Sequence, residues 1–174
     1  MEELELTYLA KELPVDLSAS RSKEMLDIYV PSTSAHPVLR IRRQGDNFEI
    51  TKKQPISEGD ASHQLEETIP LTKEEYDELA SIKGKRVGKT RYFYKNGGTD
   101  FEIDVFTGGL EGLVLVDVEF TTLEEKKAFT MPPFCLAEVT QESFIAGGML
   151  CGKVYADIQD NLDRFGYKKL LSPR

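Results

Sequence analysis

The residues able to do chemistry recur in pairs, one position apart, on short apolar segments. Three segments carry acids: Glu3-Leu4-Glu5, Glu102-Ile103-Asp104 and Asp117-Val118-Glu119. Two carry bases, Arg40-Ile41-Arg42 and Lys89-Thr90-Arg91, and Lys53 closes a third basic run, Glu49-Ile50-Thr51-Lys52-Lys53. On a β-strand, residues of one parity share a face, so each pair sends two like charges to one side while Leu4, Ile41, Ile103 and Val118 take the other. Arginine meets phosphate oxygens through its planar fork and lysine as a point charge. Paired carboxylates without His or Cys suit a hard cation such as Mg²⁺ or Mn²⁺. The two sets together suit a phosphate chain bridged to metal, with bases holding oxygens and metal neutralising charge. One Glu-x-Glu means little; the signal is the repetition of sign-sorted pairs along one chain.

Other chemistries find no support. His36 and His63 lie in polar, loop-like stretches, and no Ser-His-Asp or Cys-His arrangement follows from them. Cys135 and Cys151 fit no CxxC or His/Cys metal spacing and read as free thiols of a reducing compartment.

The elements that must hold these side chains read as strand after strand with period 2: Glu3–Leu9, Met25–Val30, Val38–Arg43, Phe48–Lys53, Leu65–Ile69, Val87–Tyr94, Phe101–Phe106 and Leu113–Phe120. Gln44-Gly45-Asp46-Asn47 and Lys95-Asn96-Gly97-Gly98 supply hairpin turns between neighbours. Helices are expected over Thr72–Ile82 and Thr122–Phe129, each opened by a Thr cap with Glu three residues on, and over about 153–165, with Gly166 as its stop. Gly147-Gly148 lacks a strand-then-helix phosphate-loop context and reads as a turn. The fold class is α+β, mainly antiparallel β, in a single domain over 1–174. An open sandwich would turn the charged face to water; closure of the strands into a barrel would turn it into a lumen, where unpaired charges need partners or a charged ligand.

Bulk properties narrow the function. The chain has 174 residues and a formal net charge of −8, with 30% charged and 40% hydrophobic residues, so it is globular and acidic. That balance argues against nucleic-acid binding, which needs a basic footprint, yet permits an anionic small molecule in a locally basic lining. No apolar run reaches the ~18 residues of a membrane helix, and the acidic start Met1-Glu2-Glu3 resembles no signal peptide, so a cytoplasmic protein without membrane association is expected. No apolar stripe sets the oligomeric state, which is left as monomer or homodimer.

In order and spacing these segments resemble the CYTH domains, the triphosphate tunnel metalloenzymes, from residue 3 to about residue 140. The family's ExExK strand and following Leu-Pro correspond to Glu3-Leu4-Glu5-Leu6-Thr7 and Leu13-Pro14, and its RxR and T-x-K steps to Arg40-Ile41-Arg42 and Thr51-Lys52-Lys53. Lys89-Thr90-Arg91-Tyr92, Glu102-Ile103-Asp104-Val105-Phe106, Leu115-Val116-Asp117-Val118-Glu119-Phe120 and Glu138-Val139-Thr140 complete the set. The resemblance implies an eight-stranded closed β-barrel, or tunnel, that hydrolyses a triphosphate with Mg²⁺ or Mn²⁺. Glu3, Glu5, Asp117 and Glu119 would bind metal, and Glu102 and Asp104 would be further acids, as metal ligands or as partners of the bases. Arg40, Arg42, Lys53, Lys89 and Arg91 would hold phosphate, and Glu3, Glu5, Lys53 and Arg91 would form the catalytic set. Inorganic tripolyphosphate and thiamine triphosphate are the substrates the family implies for hydrolysis. Adenylate cyclisation and non-catalytic polyphosphate or nucleotide binding are the alternatives. Thr7 replaces the lysine of ExExK, Leu65 replaces an acid, and Gln141-Glu142-Ser143-Phe144 replaces a D-K-R-Y step, so the chain has fewer bases than its family pattern.

Overall fold

The alternating segments pair into one continuous wall in the computed structural model, which describes residues 1–171. The strands are β1 (Glu2–Ala10), β2 (Arg21–Val30), β3 (Leu39–Gln44), β4 (Asn47–Pro55), β5 (His63–Leu71), β6 (Lys85–Asn96), β7 (Thr99–Phe106), β8 (Val114–Phe120) and β9 (Cys135–Glu138). Their order is β5-β4-β3-β2-β6-β7-β8-β1, and a further β5–β1 pairing closes the ring into an eight-stranded antiparallel barrel. Closure removes the exposed edges that an open sheet would offer. β1 divides its outer edge: Glu2–Leu4 pair with β5, whereas Tyr8–Ala10 pair with β9. Backbone bonds from Glu5 N–H to the Ser62 carbonyl and from Val139 N–H to the Thr7 carbonyl span the interval between them.

The parity carrying the charges faces the lumen, and the opposite parity carries the outer core. Ile103, Val114, Val116 and Val118 pack outside with Leu17 and Phe134, while Ile28 and Ile41 pack under Tyr76 of α1 (Lys73–Leu79). Along the inward parity the character changes towards one end. Thr7 is followed by Leu9, Asp27 by Tyr29 and Asp104 by Phe106, while Lys89 and Asp117 give way to Val87 and Leu115. These apolar successors form one buried cluster with Phe144, Leu150, Ile158 and Leu162, so the C-terminal segment seals an apolar floor beneath the charged lumen.

The eight expected strands are present, each within a few residues of its expected bounds. β9 is an additional strand, and the Glu138-Val139-Thr140 step shares only Glu138 with it. The two capped helices form as α1 and α2 (Leu123–Ala128), shorter than expected, and both capping boxes are made. Two expectations are corrected. Gly147-Gly148 opens a short helical turn, α3 (Gly147–Leu150). The helix expected over about 153–165 is a 3₁₀ turn at Tyr155–Asp157 followed by α4 (Gln159–Asp163). The cause is local: the Asp157 carboxylate accepts a hydrogen bond from Val154 N–H at 2.8 Å and starts a new turn there. Val154 is left exposed, and Tyr155, which the helical spacing ignored, enters the core with Ile158 and Leu162.

Candidate active site

The lumen is a cavity of about 420 Å³ lined by each residue expected from the sequence: Glu3, Glu5, Arg40, Arg42, Lys53, Lys89, Arg91, Glu102, Asp104, Asp117 and Glu119. The β1–β8 register sets Glu5 opposite Glu119 and Thr7 opposite Asp117, and the β7–β8 register sets Glu102 opposite Asp117. Acids of three adjacent strands therefore crowd one side. The bases come from β3, β4 and β6.

Four basic groups differ in how fully they are neutralised. Arg42 grips Asp27 with two bonds, Nε at 2.7 Å and Nη2 at 2.8 Å, and lies 3.9 Å from Glu49. Arg91 grips Asp104 through Nε and Nη2, both at 2.7 Å, also pairs with Glu102, and stands 3.5 Å from Asp117; Lys89 pairs with the same Asp104. Lys53 sits between Glu3 and Glu5, 2.8 Å from each, and Gln64 donates to Glu5 at 3.0 Å. Arg40 contacts Glu66 at 3.2 Å and the Tyr29 hydroxyl at 3.3 Å.

Proton affinities follow these environments. Burial would raise Asp27, but the Arg42 charge and hydrogen bonds outweigh it and hold the carboxyl at about 2. Asp104 is held well below the carboxylate range in the same way, with Arg91 and Lys89 overcoming burial. On the acid side the direction reverses. Burial raises Glu5, Lys53 pulls it back, and Asp117 and Glu3 push it up again. Glu102 is raised by burial and by Asp104 and Asp117 against the pull of Arg91, and Glu119 by burial and by Glu102, Glu3 and Glu5. Lys53 stays above the usual lysine range because Glu5 and Glu3 overcome burial, whereas burial wins at Lys89 and draws it down.

The sequence did not flag Asp27, Tyr29, Gln64 or Glu66. Asp27 had a readable signal, a lone acid inside the apolar run Met25-Leu26-Asp27-Ile28-Tyr29-Val30. Thr7 fills the place of the absent lysine: its hydroxyl donates to Asp117 Oδ1 at 2.7 Å, and its N–H donates to Thr140 Oγ1 at 3.0 Å. Gln141, in the altered stretch, accepts from Ala61 N–H at 3.0 Å and donates to Asp60 at 3.1 Å, fastening the β4–β5 loop over the cavity.

No family model matches the chain. An inorganic triphosphatase from Nitrosomonas europaea is 42% identical over 106 residues, covering 60% of this chain and 68% of that protein. The chain belongs to the CYTH, or triphosphate tunnel metalloenzyme, superfamily. Solved structures agree. A crystal structure of an inorganic triphosphatase superposes with a TM-score of 0.64 at 30% identity, covering 87% of this chain and 95% of that one. A Bacillus halodurans protein provisionally assigned as an adenylate cyclase shares the fold alone, with a TM-score of 0.55 at 16% identity over 99% of this chain and 95% of that one.

The CYTH tunnel implies a divalent metal, and the donor chemistry here fits one. The donors are hard carboxylate oxygens with no His or Cys among them, and burial, with repulsion between neighbouring carboxylates added to it, raises Glu5, Glu102 and Glu119, a cost that a nearby dication would relieve. Yet among the described residues no three such side chains converge into a closed coordination shell.

Proposed function

We propose that this chain hydrolyses inorganic tripolyphosphate in its tunnel, with Mg²⁺ or Mn²⁺ held by carboxylates drawn from Glu3, Glu5, Asp117 and Glu119. The observation that carries the reading is the convergence of sign-sorted acids and bases on one enclosed lumen with an apolar floor. Identity to the Nitrosomonas enzyme supports the same activity.

The roles divide by neutralisation. Arg42 and Asp104 are largely consumed by their own ion pairs, so they build the wall and fix their neighbours. Arg40, Lys89 and Arg91 hold phosphoryl oxygens, and Lys53 bridges the phosphate chain to Glu3 and Glu5. The metal would supply charge neutralisation on the transferring phosphoryl group. Water forms the new bond to the terminal phosphorus, the bridging P–O bond breaks, and pyrophosphate leaves with the electron pair. Glu102, whose proton affinity is raised and which lies outside that metal set, is the side chain suited to accept the proton of that water. The closed wall and the floor exclude bulk water, so these charges act in a low-dielectric space.

The test is phosphate release from tripolyphosphate, ATP and thiamine triphosphate, each with Mg²⁺ or Mn²⁺. Release from tripolyphosphate that stops with EDTA is expected. In Glu5→Ala turnover should fall by about two to three orders of magnitude with the thermal transition retained. Full turnover in Glu5→Ala would remove the acid side from the mechanism. Binding by calorimetry with no release from any substrate would make this a non-catalytic module.

A further inference from the structure

Glu3 and Glu5 both meet Lys53 at 2.8 Å, yet the fold holds them differently. Gln64 of β5 stands opposite Glu3, so its side chain enters the lumen from the same face and leans across to Glu5. Its Nε2 donates to Glu5 Oε1 at 3.0 Å, while Lys53 takes Glu5 Oε2. Both oxygens of Glu5 are therefore held. Among the described residues the Glu3 carboxylate is held by Lys53 alone.

The same Nε2 donates its second proton to the Ala61 carbonyl at 2.8 Å. A carboxamide between two acceptors must turn its NH₂ towards them, so chemistry fixes this orientation. Ala61 is fastened at its other polar group as well. Its N–H donates to Gln141 Oε1 at 3.0 Å, and Gln141 Nε2 donates to Asp60 at 3.1 Å. The Ser62 carbonyl in turn accepts the Glu5 N–H at 3.1 Å. A path of hydrogen bonds thus runs from Gln141 through Ala61 and Gln64 to Glu5. It crosses the interval where the outer edge of β1 passes from β5 to β9 and has no ladder of its own. When Lys53 meets a phosphate chain its hold on Glu5 is shared, and Gln64 is then the donor that keeps this carboxylate oriented.

We propose that Gln64 is a positioning residue for the metal set: its amide aims the Glu5 carboxylate at the cation, and Gln141 keeps Gln64 in place by pinning Ala61. This rests on the reading of the tunnel as a metal-dependent triphosphatase.

The experiment compares Gln64→Met and Gln141→Met with the wild type. Mn²⁺ binding without substrate is read from the EPR signal of free Mn²⁺, tripolyphosphate hydrolysis is measured under saturating Mn²⁺, and the thermal transition of each protein is recorded. Gln64→Met keeps the length and removes both donors, so the Mn²⁺ Kd should rise by about tenfold or more and kcat should fall, with KM for tripolyphosphate within about twofold. Gln141→Met should act in the same direction and more weakly. Gln64→Asn keeps the amide but withdraws it from Glu5, gives the same losses, and carries the test should Gln64→Met not fold. A folded Gln64→Met that binds Mn²⁺ as the wild type does overturns the proposal, whether or not its KM has risen. A Gln141→Met protein indistinguishable from wild type overturns the role of Gln141. A wild type that binds Mn²⁺ but releases no phosphate overturns the triphosphatase reading, and the Kd comparison still decides for or against Gln64. A wild type that binds no Mn²⁺ overturns both.

Discussion

Around the wall built by β2, β3 and β6, acids stand against bases: Asp27 against Arg42, and Asp104 against Arg91 and Lys89. Along β1 and β8, with Glu102 of β7 beside them, four further carboxylates share the lumen, two of them paired with Lys53. Both regions are built from the same x-charge-x-charge pattern, yet they differ in what they leave unfinished. In the paired half the carboxyls lose protons far more readily than usual; in the acid half Glu5, Glu102 and Glu119 cling to theirs. In the paired half the Asp27–Arg42 and Asp104–Arg91–Lys89 ion pairs are closed as folded. The acid half is under electrostatic stress that a cation can discharge, so the two halves divide cation binding from structural ion pairing.

The contrast can be broken most forcefully at Asp27. Asp27→Ala leaves the Arg42 guanidinium buried with Glu49 as its distant partner, and a loss of about 3–5 kcal/mol in urea unfolding is expected. The same pair predicts acid sensitivity. Its carboxyl is held at about 2 against an ordinary 3.8, so its stabilisation is present above the ordinary value and lost as pH falls towards 2. A variant as stable as wild type would mean that the paired half does not anchor the barrel.

The acid half is sharpened by metal titration across pH. Protons compete with a cation for Glu5, Glu102 and Glu119, whose affinities for them are raised. Excess MnCl₂ should therefore stabilise the protein weakly at about pH 5 and by about 2–3 kcal/mol at about pH 8, read as a shift of the thermal transition. A shift that shrinks as pH rises would assign the effect to other groups. The smallest effect belongs to the junction between the halves. Thr7→Val removes the donor to Asp117 and keeps the shape, so kcat/KM should fall by roughly tenfold or less, with stability lowered by about 1 kcal/mol. A loss of several hundredfold would promote Thr7 from a prop of Asp117 to a direct ligand of the substrate.

Much of the site was legible because a period of two is a strong signal and because charges on one parity had to share a face. All the residues it singled out line one cavity. What it could not convey was pairing. Nothing in Arg40-Ile41-Arg42 distinguishes an arginine locked to Asp27 from one with a buried free donor; that difference comes from the register with β2. The floor was also hidden, because Leu9, Val87, Phe106 and Leu115 read locally as ordinary strand hydrophobics and become a seal only once the C-terminal segment packs on them. The C-terminal helix was misjudged at Val154, where one side-chain cap outweighed an apolar period.

The division of the β1 edge between β5 and β9 has a consequence for biosynthesis. Thr7 meets its partners 110 residues later at Asp117 and 133 residues later at Thr140. At typical translation rates of about 5–20 residues per second, β1 leaves the ribosome many seconds before either partner exists. For that time its Thr7–Ala10 half, which pairs with β8 and β9, has no partner strand, and such a segment recruits other chains. The preceding Glu2, Glu3 and Glu5 of β1 are poor material for such encounters. The carboxylates assigned here to metal would thus first serve as a guard on the nascent chain, and a substitution that neutralises them would be felt in yield of soluble protein before it is felt in turnover.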